Sequence, residues 1–220
     1  MLILSHRGFH QHCPENTLDA FAAAIALGVD GIETDVQVSA DGIPILFHDR
    51  IAPNHQAVNQ LTQAQLSELM GYPIPQLQDA LALPRPNPNF LWNIELKSPE
   101  ALATSLDLLS DYGDRHPLLV TSFWHPLIAK VAAQTTLQTG LLIAHHPYRL
   151  AVETQWIQKF PTLKTLVCSW NCMGPVLVQQ CAALGLKLFV YSPLTQTDHQ
   201  TLRDLGVDGV ISDRPDWLLN

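Results

Sequence analysis

The chain of 220 residues lacks most of what would tie a protein to a membrane, a nucleic acid or a disulfide scaffold. No apolar run approaches the ~20 residues that a membrane span requires. Only residues 1–5 precede a segment dense in polar chemistry, so no secretory leader is expected. Cations are scarce: 12 Lys and Arg stand against 20 Asp and Glu, a formal charge of −8. An acidic protein is not drawn to nucleic acid or to anionic lipid, so neither partner is expected, nor is stable membrane association. A phosphorylated small molecule stays open as a substrate, because a few local cations and a bound metal outweigh the average charge inside a pocket. Four cysteines are too few for a disulfide framework in a chain of this size, and Cys168 and Cys172 lack the paired spacing of a zinc site. They are expected as buried or half-buried thiols in a soluble, cytoplasmic protein.

Short apolar, β-rich runs alternate with amphipathic stretches along the whole length. Strands are predicted over residues 2–5, 31–36, 90–96, 118–122, 139–144, 165–169, 188–192 and 209–212, with an extended arm at 43–47 after the Asp41-Gly42 turn. Helical patterns cover 17–27, 76–83, 99–109, 125–134, 149–160, 174–184 and 197–205. Eight strands with helical crossovers predict an α/β fold, a (β/α)8 TIM barrel spanning residues 1–220 as one domain. A doubly wound open sheet is the competing architecture. Residues 50–75 break the rhythm and predict a short insertion after the second strand unit, with a helical piece at 62–70. Gly28, Gly140, Gly185 and Gly206 are placed where helices hand over to strands, a common use of glycine at a helix C-terminus.

In such a barrel the C-terminal ends of the strands face one pocket. Those ends carry His6 and Arg7, then Glu33 and Asp35, then His48 on the arm, then Glu95 and Lys97. Glu33 and Asp35 are two apart on a strand and point to the same side, as do Glu95 and Lys97. Three carboxylates in one low-dielectric space repel unless a cation compensates. An all-oxygen set suits Mg²⁺ or Ca²⁺ better than zinc. The alternative is a metal-free network in which Arg7 and Lys97 pair with the acids. His6 and His48 add two groups able to move protons near neutral pH, the equipment of phosphodiester cleavage. Arg7 and Lys97 can neutralise phosphate oxygens. Phe123, Trp170 and Tyr191 follow strands on the same face and are candidate walls of a substrate pocket.

His6-Arg7-Gly8, then Pro14-Glu15-Asn16-Thr17, resembles the opening of the glycerophosphodiester phosphodiesterases. The likeness continues through Gly31-Ile32-Glu33-Thr34-Asp35-Val36, Asp41-Gly42, His48-Asp49 and Ile94-Glu95-Leu96-Lys97. It closes at Gly206-Val207-Asp208-Gly209-Val210-Ile211-Ser212-Asp213-Arg214-Pro215. The resemblance implies a TIM barrel that hydrolyses glycerophosphodiesters to sn-glycerol 3-phosphate and an alcohol with a divalent cation. It implies metal positions at Glu33, Asp35 and Glu95, phosphate contacts at Arg7 and Lys97, and acid–base positions at His6 and His48. It also implies a route through a cyclic phosphate, with His48 taken as base and His6 as acid. Asn16 is expected to cap the first helix or hold its loop, and Glu15 to lie near the metal.

Two segments depart from the family pattern. The insertion lacks the Arg-Thr-Thr run common after His48-Asp49, and Val190-Tyr191-Ser192-Pro193-Leu194 stands where Trp-Thr-Val-Asn is usual. Both bear on the choice of alcohol. Cleavage of lysophospholipids and a non-catalytic phosphoester-binding barrel are therefore the alternative readings. His10, His12, His145 and His146 are expected as solvated loop residues.

Overall fold

A computed structural model describes residues 1–145 and 158–219. Its strands are β1 (Leu2–His6), β2 (Gly31–Val38), β3 (Pro44–Leu46), β4 (Leu91–Leu96), β5 (Leu118–Ser122), β6 (Gln138–Ile143), β7 (Leu163–Ser169), β8 (Lys187–Tyr191) and β9 (Gly209–Ser212). All but β3 pair in parallel, and β1 pairs with both β2 and β9, so the sheet closes. That closure rules out the open doubly wound sheet and gives the (β/α)8 TIM barrel. The described helices are α1 (Leu18–Leu27), α2 (Gln63–Met70), α3 (Leu77–Leu81), α4 (Pro99–Gly113), α5 (His125–Gln134), α6 (Pro175–Leu184) and α7 (Gln196–Leu205). The helix expected over 149–160 lies outside the described residues apart from 158–160.

Parallel strands covered on both faces must be apolar on both, and the core divides accordingly. One shell lies between helices and sheet, with Phe21 edge-on to Trp92 at a centroid distance of 5.3 Å. A second cluster fills the barrel: Leu4, Leu119, Leu142, Val167, Phe189 and Ile211, one from each of six strands. Burying each side chain contributes about 1.5–3 kcal/mol. The two barrel strands that add no buried member to this plug are β2 and β4, which carry Glu33, Asp35, Asn93 and Glu95.

Helix ends follow local chemistry. Thr17, Thr62, Ser98 and Thr195 each accept a backbone N–H at the start of a helix. Gly28, Gly185 and Gly206 close α1, α6 and α7 with positive φ. Gly140 does not. It lies within β6, where an added Cβ would come within 3.2 Å of both Thr121 and Thr165, so the residue is needed for interior space rather than for a cap.

The insertion has its own small core. β3 runs antiparallel to β2, with Val36 opposite Leu46 and Val38 opposite Pro44. Ile45, Phe47, Ala52, Val58, Leu61, Leu66 and Ile74 pack together beneath it. A Thr62–Gln65 capping box starts α2, and Gly71 ends it. Among the described residues no helix is long and apolar enough to cross a membrane. No disulfide links the cysteines; Cys13 is half-buried and the other three are buried.

Candidate active site

The acidic cluster arises from strand geometry. Glu33 and Asp35 alternate with Thr34 on β2, and Asp35 is in register with Glu95 on β4. Oxygen atoms of Glu33, Asp35 and Glu95 lie within 4.8 Å of one another, and all three residues are buried. Lys97 reaches back from the end of β4, its Nζ 2.8 Å from Asp35 and 2.7 Å from Glu95. Arg7 approaches from β1, with Nε 3.2 Å from Asp35 and Nη1 donating to Glu15 at 2.8 Å. Arg7 has φ of +55°, a left-handed conformation that costs a non-glycine residue about 1–3 kcal/mol. Its N–H donates to the Glu33 carbonyl at 2.9 Å, and its carbonyl accepts from Asn16 at 2.9 Å, which holds the turn.

Asn16 is not the helix cap, since Thr17 takes that role. Buried and itself at φ +54°, Asn16 donates through Nδ2 to Asp35 at 2.9 Å. Its Oδ1 accepts from the Thr34 hydroxyl at 2.6 Å and the Asp35 N–H at 3.3 Å. One amide thus orients a central carboxylate. Glu15 stays outside the trio, paired with Arg7.

The charges do not balance. Burial would raise the Asp35 carboxyl, but Lys97 and Arg7 pull it down to about 2. Burial, reinforced by Asp35, lifts Glu95 to about 7 against the pull of Lys97. Glu33 is held well above the usual carboxylate range, by burial first and then by Asp35 and Glu95. Arg7 and Lys97 therefore satisfy one acid and leave two in excess negative potential. The pairing with Arg7 and Lys97 is real, yet it does not neutralise the trio. Buried, convergent oxygen donors with uncompensated charge fit a hard divalent cation.

Both histidines are held through Nδ1 by a carboxylate. His6 Nδ1 donates to Asp213 Oδ1 at 2.6 Å, leaving Nε2 3.8 Å from Glu33. His48 Nδ1 donates to Asp49 at 2.8 Å. His48 follows β3, not a barrel strand, and its position is secured by Gln37. The buried Gln37 amide reaches the carbonyls of Phe47, His48 and Asp49 at 2.9, 3.2 and 2.6 Å. Asp213 also accepts from His10 Nε2 at 3.3 Å, a bond that raises the His10 imidazole, so His10 is not merely solvated. Asp213 is held below the usual carboxylate range; burial opposes this, and the bonds from His10 and His6 outweigh it.

A cavity of about 160 Å³ opens among these groups. Its lining combines the ionic groups of His6, Arg7, Glu33, His48 and Glu95 with the largely apolar side chains of Phe123, Leu142, Tyr191 and Ile211. Phe123 stands edge-on to Tyr191 at 6.2 Å. Asn93 and Thr121 line it as well, with the Thr121 hydroxyl donating to Asn93 Oδ1 at 3.0 Å.

The chain matches the model of the glycerophosphoryl diester phosphodiesterase family over residues 6–217. It belongs to this family. A glycerophosphodiester phosphodiesterase from Caldanaerobacter subterraneus is 29% identical over 242 residues, covering 100% of this chain and 96% of that protein. One from Bacillus altitudinis is 30% identical over 242 residues, covering 97% and 95%. Among solved structures, the Thermotoga maritima glycerophosphodiester phosphodiesterase superposes with a TM-score of 0.82 at 24% identity, covering 100% of this chain and 97% of that one. An Oleispira antarctica phosphodiesterase, in complex with the product sn-glycerol-3-phosphate, gives 0.83 at 23% identity over 98% and 94%. These structures share the family barrel.

Of the residues expected at the site, His6, Arg7, Glu33, His48, Glu95, Phe123 and Tyr191 line the cavity. Asp35 and Lys97 lie just behind it, locked in their ion pair. Trp170 is not in the lining. A short 3-10 turn at Trp170–Cys172 follows β7 directly and sends the indole into the helix–sheet shell. Gln37 and Asp213 were not singled out by sequence reasoning. Parity along β2 points Gln37 to the same side as Asp35, and Asp213 follows the last strand; neither position alone reveals a partner.

Proposed function

We propose that this member of the family hydrolyses glycerophosphodiesters to sn-glycerol 3-phosphate and an alcohol, using a divalent cation and two histidines. The observation that carries this reading is the convergence of His6, His48, Glu33 and Glu95 on one cavity, with Asp35 clustered against the two glutamates behind it. The carboxylate trio would hold the cation, Mg²⁺ or Ca²⁺ by its oxygen donors, which when bound polarises the phosphoryl group and offsets its charge. Arg7 would contact phosphate oxygens from the cavity wall, and Lys97 would do so on turning from its ion pairs with Asp35 and Glu95.

His48 takes the proton of the attacking oxygen, the glycerol hydroxyl next to the phosphoester. His6 gives a proton to the departing alcohol as its P–O bond breaks. Water then opens the cyclic phosphate with the two roles reversed, so each imidazole returns to its starting state. Asp49 and Asp213 fix the tautomers by accepting from Nδ1, leaving Nε2 of each ring for the reacting oxygens.

The test is release of sn-glycerol 3-phosphate from glycerophosphocholine, lost in EDTA and restored by Mg²⁺ or Ca²⁺. Full activity of His48→Ala would overturn the assigned role. With a p-nitrophenol leaving group, which departs without a proton, the first release of p-nitrophenol should be spared in His6→Ala and not in His48→Ala. His6→Ala should still be slow to open the cyclic phosphate.

A lysophospholipid substrate is a second reading, favoured by exposed apolar side chains that follow strands ending at the cavity. Phe123 and Trp124 after β5 and Leu194 after β8 are all exposed, Leu194 by 72%. Turnover of lysophosphatidylcholine above that of glycerophosphocholine would decide for it.

A further inference from the structure

His199 is a buried imidazole on α7, 1% exposed and outside the cavity lining. Its Nδ1 lies 2.7 Å from the Thr195 carbonyl, which can only accept, so Nδ1 carries the proton. Nε2 is then an acceptor, and the Ser212 hydroxyl donates to it at 2.6 Å. Ser212 Oγ in turn accepts the Arg214 N–H at 2.8 Å. An edge-on contact with Trp217, at 5.2 Å between centroids, holds the ring from the side.

A serine donating to histidine has the form of a nucleophile and its base. Here that reading fails, because Ser212 is fully buried and does not reach the cavity. The pair has a different consequence. Ser212 and Arg214 flank Asp213, and Ser212 is the last residue of β9 in register with β1, opposite Ser5. Beyond it the ladder no longer holds the chain, and the Asp213 side chain is 48% exposed. An unclamped carboxylate at that place would exchange between His6 and water.

We propose that His199 and Ser212 are positioning residues: they clamp the backbone on both sides of Asp213, so that its carboxylate stays on His6 Nδ1. The proposal rests on the proton-transfer role given to His6 above. Neither residue touches the substrate; both act through Asp213.

The test uses Ser212→Ala and His199→Phe, the latter keeping a ring against Trp217, in full-length protein with saturating Mg²⁺ or Ca²⁺ and glycerophosphocholine. Each should lower kcat about tenfold with KM unchanged, on the scale of a reacting group displaced by less than 1 Å. In an Asp213→Ala background, Ser212→Ala should cause no further loss of kcat. Multiplying losses there would mean a general structural role and overturn the proposal. A second readout needs no turnover. The His6 Nδ1–H proton, followed by ¹H–¹⁵N NMR, should exchange slowly in the wild type and fast in either variant. An unchanged His6 signal overturns the clamp, whereas full activity of His6→Ala overturns the role of His6 instead.

Discussion

Removing the divalent cation and raising the pH should destabilise this protein, and the share carried by Glu95 can be sized. Its carboxyl moves from an ordinary 4.5 to about 7 in the folded state, by burial and by Asp35. At about 1.4 kcal/mol per unit, ionising it in the fold costs about 3 kcal/mol more than in the unfolded chain. The folded state binds the extra proton between these two values, so the Glu95 contribution falls as pH rises from 4.5 to 7 and is flat above. For a chain of this length that is a drop in Tm of roughly 6–12 °C. Glu33, also raised by burial, loses stabilisation in the same direction in both the wild type and the variant. Asp35, depressed to about 2, works the other way, but its contribution is complete above 3.8 and is lost only in stronger acid. His10, raised by its bond to Asp213, also loses stabilisation as pH rises, and it cancels when variants are compared. The assay is thermal unfolding in EDTA at pH 5 and pH 8, for the wild type and for Glu95→Gln. The wild type should lose the larger share of its Tm, and added Mg²⁺ or Ca²⁺ should restore it at pH 8 far more than at pH 5. Binding at pH 6, followed by calorimetry in buffers of different ionisation enthalpy, should release a proton. Identical pH profiles for the two proteins, or cation binding without proton release, would refute the electrostatic account of the trio.

Gln37→Leu should cost about tenfold in kcat while leaving cation affinity intact, because it frees three carbonyls of the arm carrying His48 and none of the acidic cluster; steady-state kinetics beside a cation titration measures both. Asn16→Ala strands the Thr34 hydroxyl and the Asp35 N–H in the interior, so urea unfolding should register a loss of about 2–4 kcal/mol. Gly140→Val should destabilise by about 1–3 kcal/mol through overpacking between Thr121 and Thr165, visible as a lower urea midpoint with the same slope.

The barrel was legible because its signal is repetitive. Residues 118–122, 125–134 and 209–212 match β5, α5 and β9 residue for residue. Boundaries shifted elsewhere where local chemistry extended an element. α4 runs on to Gly113 because Ser110 and Tyr112 still present carbonyls to the next turn. The acid–histidine set was legible for a different reason: parity on a strand places Glu33 beside Asp35, and strand ends share one face. Interactions between residues far apart in sequence were not legible. Nothing near Gln37 announces that it will tie down 47–49, and nothing near His10 announces Asp213, 203 positions away. Gly140 misled because a glycine before an apolar run looks like a helix stop, whereas the crowding that demands it comes from β5 and β7. Trp170 misled because its place after a strand suggested the pocket, while the tight turn that follows reverses its direction.

The antiparallel arm has a mechanical consequence. His6 ends β1 on the seam where the barrel closes, in register with Glu33 of β2, and the strand that carries it is also paired with β9, so moving it disturbs the closed sheet. His48 hangs from a three-residue strand with one barrel neighbour and a separate small core. The two imidazoles therefore belong to cooperative units of different stability, and the arm can open while the acidic trio stays assembled. In amide exchange the arm should lose protection ahead of β1 and β2. On the roles proposed above, such a protein would divide its labour: the rigid part would grip charge, and the looser part would decide when a proton is within reach.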